Sequence, residues 1–161
     1  MPTADQLALS GHLKIWPTKT ALGKEVKRKI YIGESAGRWI NENLKELQPD
    51  GFYDGALRPR EQLVDVFRRF MIGEPINDLP PKTLRPHKDG IHELRSHDLR
   101  VFGWFWRQAA FIAGSAASAK DLKDNSVTYF QCMEVCMTLR GRLDLDDPKF
   151  ITGDIDDILR F

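Results

Sequence analysis

The 161-residue chain is short of cysteine, of long apolar runs and of net charge. Two cysteines are too few for the disulfide framework of a small secreted domain. Cys132 and Cys136 are four residues apart and share one face if that region is helical. Helical geometry is poor for a disulfide, and no nearby Cys/His pair completes a four-ligand metal set. Two small buried thiols are expected there, with no metal and no cofactor. No apolar stretch reaches the roughly 18 residues that cross a bilayer. The start, MPTADQLALSGHLKIWP, lacks the charged n-region and apolar core of a signal peptide. A cytoplasmic protein without a membrane partner is expected. A formal charge of +1 names no partner, and there is no repeat or low-complexity tract.

Nine Phe and four Trp supply enough large apolar side chains for a core. A chain of this length buries roughly two-thirds of the surface that its unfolded form exposes. Charge is uneven along it. Residues 1–47 carry eight Lys/Arg against five Asp/Glu, whereas residues 144–161 carry two against six. The acidic tail reads as a solvated end, or as a segment that folds over a basic surface.

The segment HLKIW (12–16) predicts a short strand stopped by Pro17, and KIYIG (29–33) a second strand ended by Gly33. Residues 37–51 predict a short helix, and 51–60 a loop. The strongest helix signal is RPREQLVDVFRRFMIGE. Pro59 suits a first helical position, and Leu63, Val66, Phe67, Phe70 and Met71 form one stripe at i, i+3, i+4, i+7 and i+8. Four prolines make 75–90 a stiff connector that excludes a helix or a central strand. Then IHELR, LRVFGWFW and AAFIAGSA, joined by short links, predict a three-stranded antiparallel meander. Residues 124–143 predict a helix capped by Asp124, Asn125 or Ser126, with Tyr129, Cys132, Met133, Cys136 and Met137 facing inward. Clustered strands and flanking helices predict an α+β domain, with helices on one face of a small antiparallel sheet and the other face open.

The link between IHELR and LRVFG is unusual in its chemistry. Alternation puts Ile91, Glu93 and Arg95 on one face. Arg95 ends one strand and Arg100 begins the next, so the two guanidiniums come close, with His97 between them. Like charges in that position need either an internal carboxylate, with Glu93, Asp98 and the acidic tail as candidates, or an external anion. A guanidinium presents a planar fork that matches phosphate oxygens, and an imidazole moves protons near neutral pH. After the third strand, Lys120 and Lys123 sit in a small-residue loop. RNA cleavage needs a base for the 2′-hydroxyl, positive charge for the phosphorane and an acid for the leaving oxygen. Arg95, Arg100, His97, Lys120 and Lys123 are therefore the candidate catalytic residues. Arg85, Lys88, His92 and Arg107 are candidate RNA contacts.

GIHELRSHDLRVFGWF resembles the central hairpin of the RelE/HigB-type toxin superfamily, particularly its phage-derived HigB branch. There a glyELR…yRvfy stretch follows a helix and a connector, and leads to a Lys-rich loop and a final helix. The likeness covers residues 59–143. It implies a RelE/ParE-like α+β fold and an mRNA endoribonuclease that acts on free or ribosome-bound message and is held inactive by an antitoxin protein. It matches Arg95 to the Arg of ELR, Arg100 to that of yRvfy, and Lys120 and Lys123 to the loop lysines. The family's adjacent Lys pair is absent, since these two lie three apart. On this reading residues 1–58 are an extension with a strand and short helix packed on the core, 59–143 are the core, and 144–161 are the acidic tail. The alternatives are a non-catalytic member of the fold that binds RNA, the ribosome or a protein, and a phage structural or adaptor protein.

Overall fold

The computed structural model describes residues 2–47, 57–74 and 84–161. The elements in chain order are α1 (Ala4–Leu9), β1 (Lys14–Ile15), β2 (Lys29–Ile32), α2 (Glu34–Asn43), α3 (Pro59–Met71), β3 (Leu84–Pro86), β4 (Ile91–Arg95), β5 (Leu99–Arg107), β6 (Ala110–Ser118), α4 (Ala119–Lys123), α5 (Tyr129–Arg142) and α6 (Ile155–Leu159). The described strands form one open six-stranded sheet of order β1-β2-β6-β5-β4-β3, antiparallel except for the β2/β6 pair. The chain is a mixed α+β protein. Most of the expected 51–60 loop, and the connector up to residue 83, lie outside the described residues.

The expected meander is β4-β5-β6, and the expected helix over 59–71 is α3. Its predicted stripe is buried at all five positions. Pro86 stands in β3, an edge strand, where a missing N–H leaves no ladder bond unmade on the solvent side.

The expectation of one open face is corrected. Val101, Phe105, Phe111 and Leu94 face one layer, made by α2, α3 and α6. Ile91, Phe102, Trp104 and Ile112 face a second, made by α1 and α5. β5 is apolar at both parities of its alternation, and a strand of that kind is buried on both sides.

Two further expectations change. The third strand runs past the expected AAFIAGSA to Ser118, and Lys120 and Lys123 lie not in a loop but on the short helix α4. A Cβ at Gly114 would stand 2.8 Å from Cys136 Sγ and 3.1 Å from Trp104. Small side chains there let α5 lie close against the sheet. The cap of α5 is Thr128, not Asp124, Asn125 or Ser126. Thr128 and Gln131 form a reciprocal capping box, whereas Asp124 accepts from Ser126.

Both ends of the described chain are built into this fold. β2 pairs with β6, and α2 packs on the same strand. The acidic tail folds back: Ile151 N–H donates to Phe105 O (2.9 Å), Ala109 N–H donates to Ile158 O (2.8 Å), and Leu145, Ile158 and Leu159 are buried.

Cys132 and Cys136 are free and buried on the sheet-facing side of α5. Burial, with Cys136 and Glu93 nearby, pushes the Cys132 thiol up to about 12. Burial pushes Cys136 up to about 11, against a partly opposing contact from Ser115. Both groups hold their protons more tightly when folded than at their ordinary value of 9.0. Above that pH the unfolded thiols ionise and the folded ones do not, so stability falls as pH rises. Native protein at pH 8 should leave both thiols unlabelled by a thiol-specific reagent, with full labelling only in denaturant. Rapid labelling of the native state would contradict this packing.

Candidate functional site

The site begins with strand register. β4 and β5 pair Arg95 with Arg100, Glu93 with Phe102 and Ile91 with Trp104, and β3 sets Arg85 opposite Glu93. All of these side chains lie on the face covered by α5. Two like charges directly across a strand pair are destabilising unless other groups offset them.

The offset is uneven. Arg95 Nε lies 3.6 Å from Glu93 Oε1 but makes no hydrogen bond to it. Arg100 has no carboxylate partner among the described residues. Its Nη1 donates to the carbonyls of Ser96 and, at 2.8 Å, Leu99, and its buried Nε has no hydrogen-bond partner among the described residues. Among the described residues one of the two charges is thus met by an internal acid and the other by dipoles alone.

Glu93 is the most unusual group. It is wholly buried (0% exposed), and neither carboxylate oxygen accepts a hydrogen bond from a described residue. His87 Nε2 lies 3.6 Å from Oε1, the same oxygen that faces Arg95. The backbone N–H of His87 donates to Ile91 O at 2.8 Å, which places the imidazole over the start of β4. Its ring lies 5.7 Å from Tyr129 and 6.1 Å from Phe102, and Phe102 meets Tyr129 edge-on at 5.6 Å. Buried polar groups are nearly always satisfied, and orphaned ones mark sites of stored strain or chemistry.

The link between β4 and β5 is rigid. Gln62 of α3 donates from Nε2 to Asp98 Oδ2 (2.6 Å) and accepts from Asp98 N–H and Ser96 Oγ (both 2.9 Å). Ala119 N–H donates to Asp98 O at 2.7 Å, which brings α4 with its exposed Lys120 and Lys123 to this end of the sheet. His97 is exposed in the link, with Nε2 3.9 Å from Asp98 Oδ1.

The structure therefore gathers Arg95, Arg100, His97, Lys120 and Lys123 at one end of the meander. Exposed Arg85 lies one strand out, whereas exposed Lys88 lies in the turn before β4, at the opposite end of that strand from Arg95 and away from the rim. It does not bring His92 or Arg107 there. His92 is 5% exposed on the opposite face, with Nδ1 3.2 Å from Gly90 O and its ring edge-on to Phe105. Burial lowers its pKa, so it is a neutral core residue. Arg107 stands at the far end of β5. It stacks on Trp106 at 4.2 Å and donates to Trp106 O, Pro148 O and Asp147 O at 2.7, 2.6 and 3.1 Å. It fastens the tail.

Sequence reasoning passed over Glu93 and His87 as members of the site. Alternation had placed Glu93 on the face of Arg95, but only as a candidate neutralising acid. His87 sits in the proline-rich connector, where no periodicity assigns a direction. Among the described residues no group of three or more His, Cys, Asp or Glu could hold a metal ion. A half-open groove of about 1260 Å³ lies between α1, β1, α2 and the end of α5. It is four strands from β4, about 19 Å at the usual strand spacing, and carries charges of both signs. The chain matches no protein-family model, no curated protein and no solved structure.

Proposed function

We propose that this protein is an RNA endoribonuclease of the RelE/HigB toxin type, acting at the rim where Arg95 and Arg100 meet. The observation that carries the reading is their cross-strand pairing beside the unsatisfied Glu93–His87 pair. The reaction is a transesterification. A base takes the 2′-hydroxyl proton, the 2′-oxygen attacks phosphorus, and the P–O5′ bond breaks as an acid protonates the leaving oxygen. The products are a 2′,3′-cyclic phosphate and a 5′-hydroxyl. Arg100 and Arg95 stabilise charge on the phosphorane, where fixed donors matter most. His87, whose Nε2 stands 3.6 Å from Glu93 Oε1, carries a proton, and exposed His97, Lys120 and Lys123 are the other carriers at this rim. Cytoplasmic message, free or on the ribosome, is the substrate class, and an antitoxin protein is the partner that this reading requires. No described helix is long and apolar enough to cross a membrane.

One observation favours the second reading, a non-catalytic RNA, ribosome or protein binder: the Glu93 carboxylate is sealed from solvent. One experiment separates the two. Purified protein is incubated with labelled single-stranded RNA in chelator, with and without ribosomes, and the product ends are mapped. The endonuclease leaves cyclic phosphate ends, and Arg100→Ala lowers the rate about 10²–10³-fold. Equal activity in Arg100→Ala would remove the site assignment. RNA binding that weakens steeply with salt, without cleavage in any condition, selects the binder.

A further inference from the structure

We propose that Glu93 is a specificity-determining residue. Its sealed negative charge fits the Arg95/Arg100 rim to a singly charged internal phosphodiester and against a doubly charged terminal phosphomonoester. This rests on the RNA reading of the same rim and names which phosphates of a strand the site accepts.

Glu93 is 0% exposed, so it acts on a bound anion only through its charge. Its Oε1 lies 3.6 Å from Arg95 Nε, which is itself buried, although the Arg95 side chain as a whole is 25% exposed. Nη1 and Nη2 of Arg95 make no hydrogen bond to a described residue and are not among the buried unpartnered atoms, so they are the atoms that reach solvent. The same holds for Nη2 of Arg100, whose Nη1 is taken by the Ser96 and Leu99 carbonyls. These Nη atoms meet an incoming anion while the carboxylate stays on the buried side. Arg95 and Arg100 contribute +2 and Glu93 −1, which leaves +1 at the strand end. Exposed Arg85, one strand out, forms no ion pair with Glu93 and is screened by solvent. Attraction scales with the charge of the ligand. An internal phosphodiester carries one negative charge, and a terminal phosphomonoester carries close to two at neutral pH. Taking one charge from the rim therefore costs the dianion twice what it costs the monoanion. Burying a carboxylate without a hydrogen bond is unfavourable, and filling a core does not require it.

The test uses two probes that share one nucleoside: a 2′-O-methyl dinucleoside monophosphate, whose single diester cannot be cleaved, and the 2′-O-methyl nucleoside 3′-monophosphate. Affinities are measured at about pH 8, where the monoester is a dianion and an ordinary imidazole is uncharged. The parent should bind the diester at least as tightly as the monoester. Glu93→Gln should tighten the diester about 10-fold and the monoester about 100-fold, so that their ratio moves about 10-fold. Glu93→Met, which fills the volume without a charge, should move the ratio the same way, and Glu93→Asp should keep the parental ratio. A ratio measured on one sample is independent of the fraction folded, and thermal melts establish that each variant is folded. An unchanged ratio in the uncharged variants, equal weakening of both probes, or a ratio that shifts in Glu93→Asp would overturn the role of the charge while the RNA reading stands. A parent that prefers the monoester would do the same. If the parent binds neither probe, the rim holds no phosphate, and the RNA reading falls together with the proposal.

Discussion

A Gly103→Ala variant should lose about 3 kcal/mol of stability or more, at or above the top of the usual range for overpacked cores. Gly103 lies in β5 opposite Ala113, beside an irregularity in the β5/β6 ladder. A Cβ there would stand 2.0 Å from Ile112 O and 2.6 Å from Phe111 Cζ. The nearest obstacle is backbone, and it belongs to β6, which is held between β5 and β2. No rotamer change relieves that contact. The strands must separate, which opens the meander that carries Arg95 and Arg100. Gly141→Ala is the control. It sits in α5 with nothing within 4 Å of an added Cβ, so the substitution should raise stability by up to about 1 kcal/mol. Denaturant unfolding of both variants measures the contrast. A Gly103→Ala midpoint equal to that of the parent would mean that the β5/β6 register is not the one described.

An Arg28→Met variant should lose about 3–5 kcal/mol, from charge-assisted hydrogen bonds worth roughly 1.5–3 kcal/mol each. Arg28 is 5% exposed. Its Nε donates to Leu159 O (2.9 Å), and its Nη1 donates to Phe70 O (3.1 Å) and Glu74 O (3.0 Å). The guanidinium also lies 5.4 Å over the rings of Phe70 and Phe161. One side chain thus ties the end of α3, the residues after it and the C-terminal segment. Methionine fills much of the volume but leaves those carbonyls without their donor. For a protein of this size the loss corresponds to a melting temperature lower by about 10 °C. The tail should also become the first site of limited proteolysis, since α6 is short and acidic. A melting temperature within a degree or two of the parent's would show that the tail is held by its apolar anchors alone.

Parts of the fold and site were legible because their signals are local. The i, i+3, i+4 stripe from Leu63 to Met71 could belong only to an amphipathic helix. Short links between apolar runs could join only antiparallel neighbours, which placed Arg95 across from Arg100. Other local signals were present but overlooked. Thr3 and Gln6 form the capping box of α1, Thr128 and Gln131 that of α5, and Asp154 caps α6. A Lys-bearing stretch of small residues read as loop because small side chains have weak strand propensity. Contact with α5 overrode that propensity.

By itself the amino-acid order determined the mixed α+β class, the meander, the buried thiols and the meeting of two arginines at a strand end. Each of these follows from a repeat of two or of three to four residues, or from a turn too short to allow a second topology. Only the tertiary structure decided that β2 lies parallel to β6, and that His92 and Arg107 serve the core and the tail. It alone set His87 from the connector beside the sealed carboxylate of Glu93, and Tyr129 from α5 beside His87. Those neighbours lie far apart along the chain, and their direction is set by whichever apolar surfaces close on one another, which no local pattern encodes.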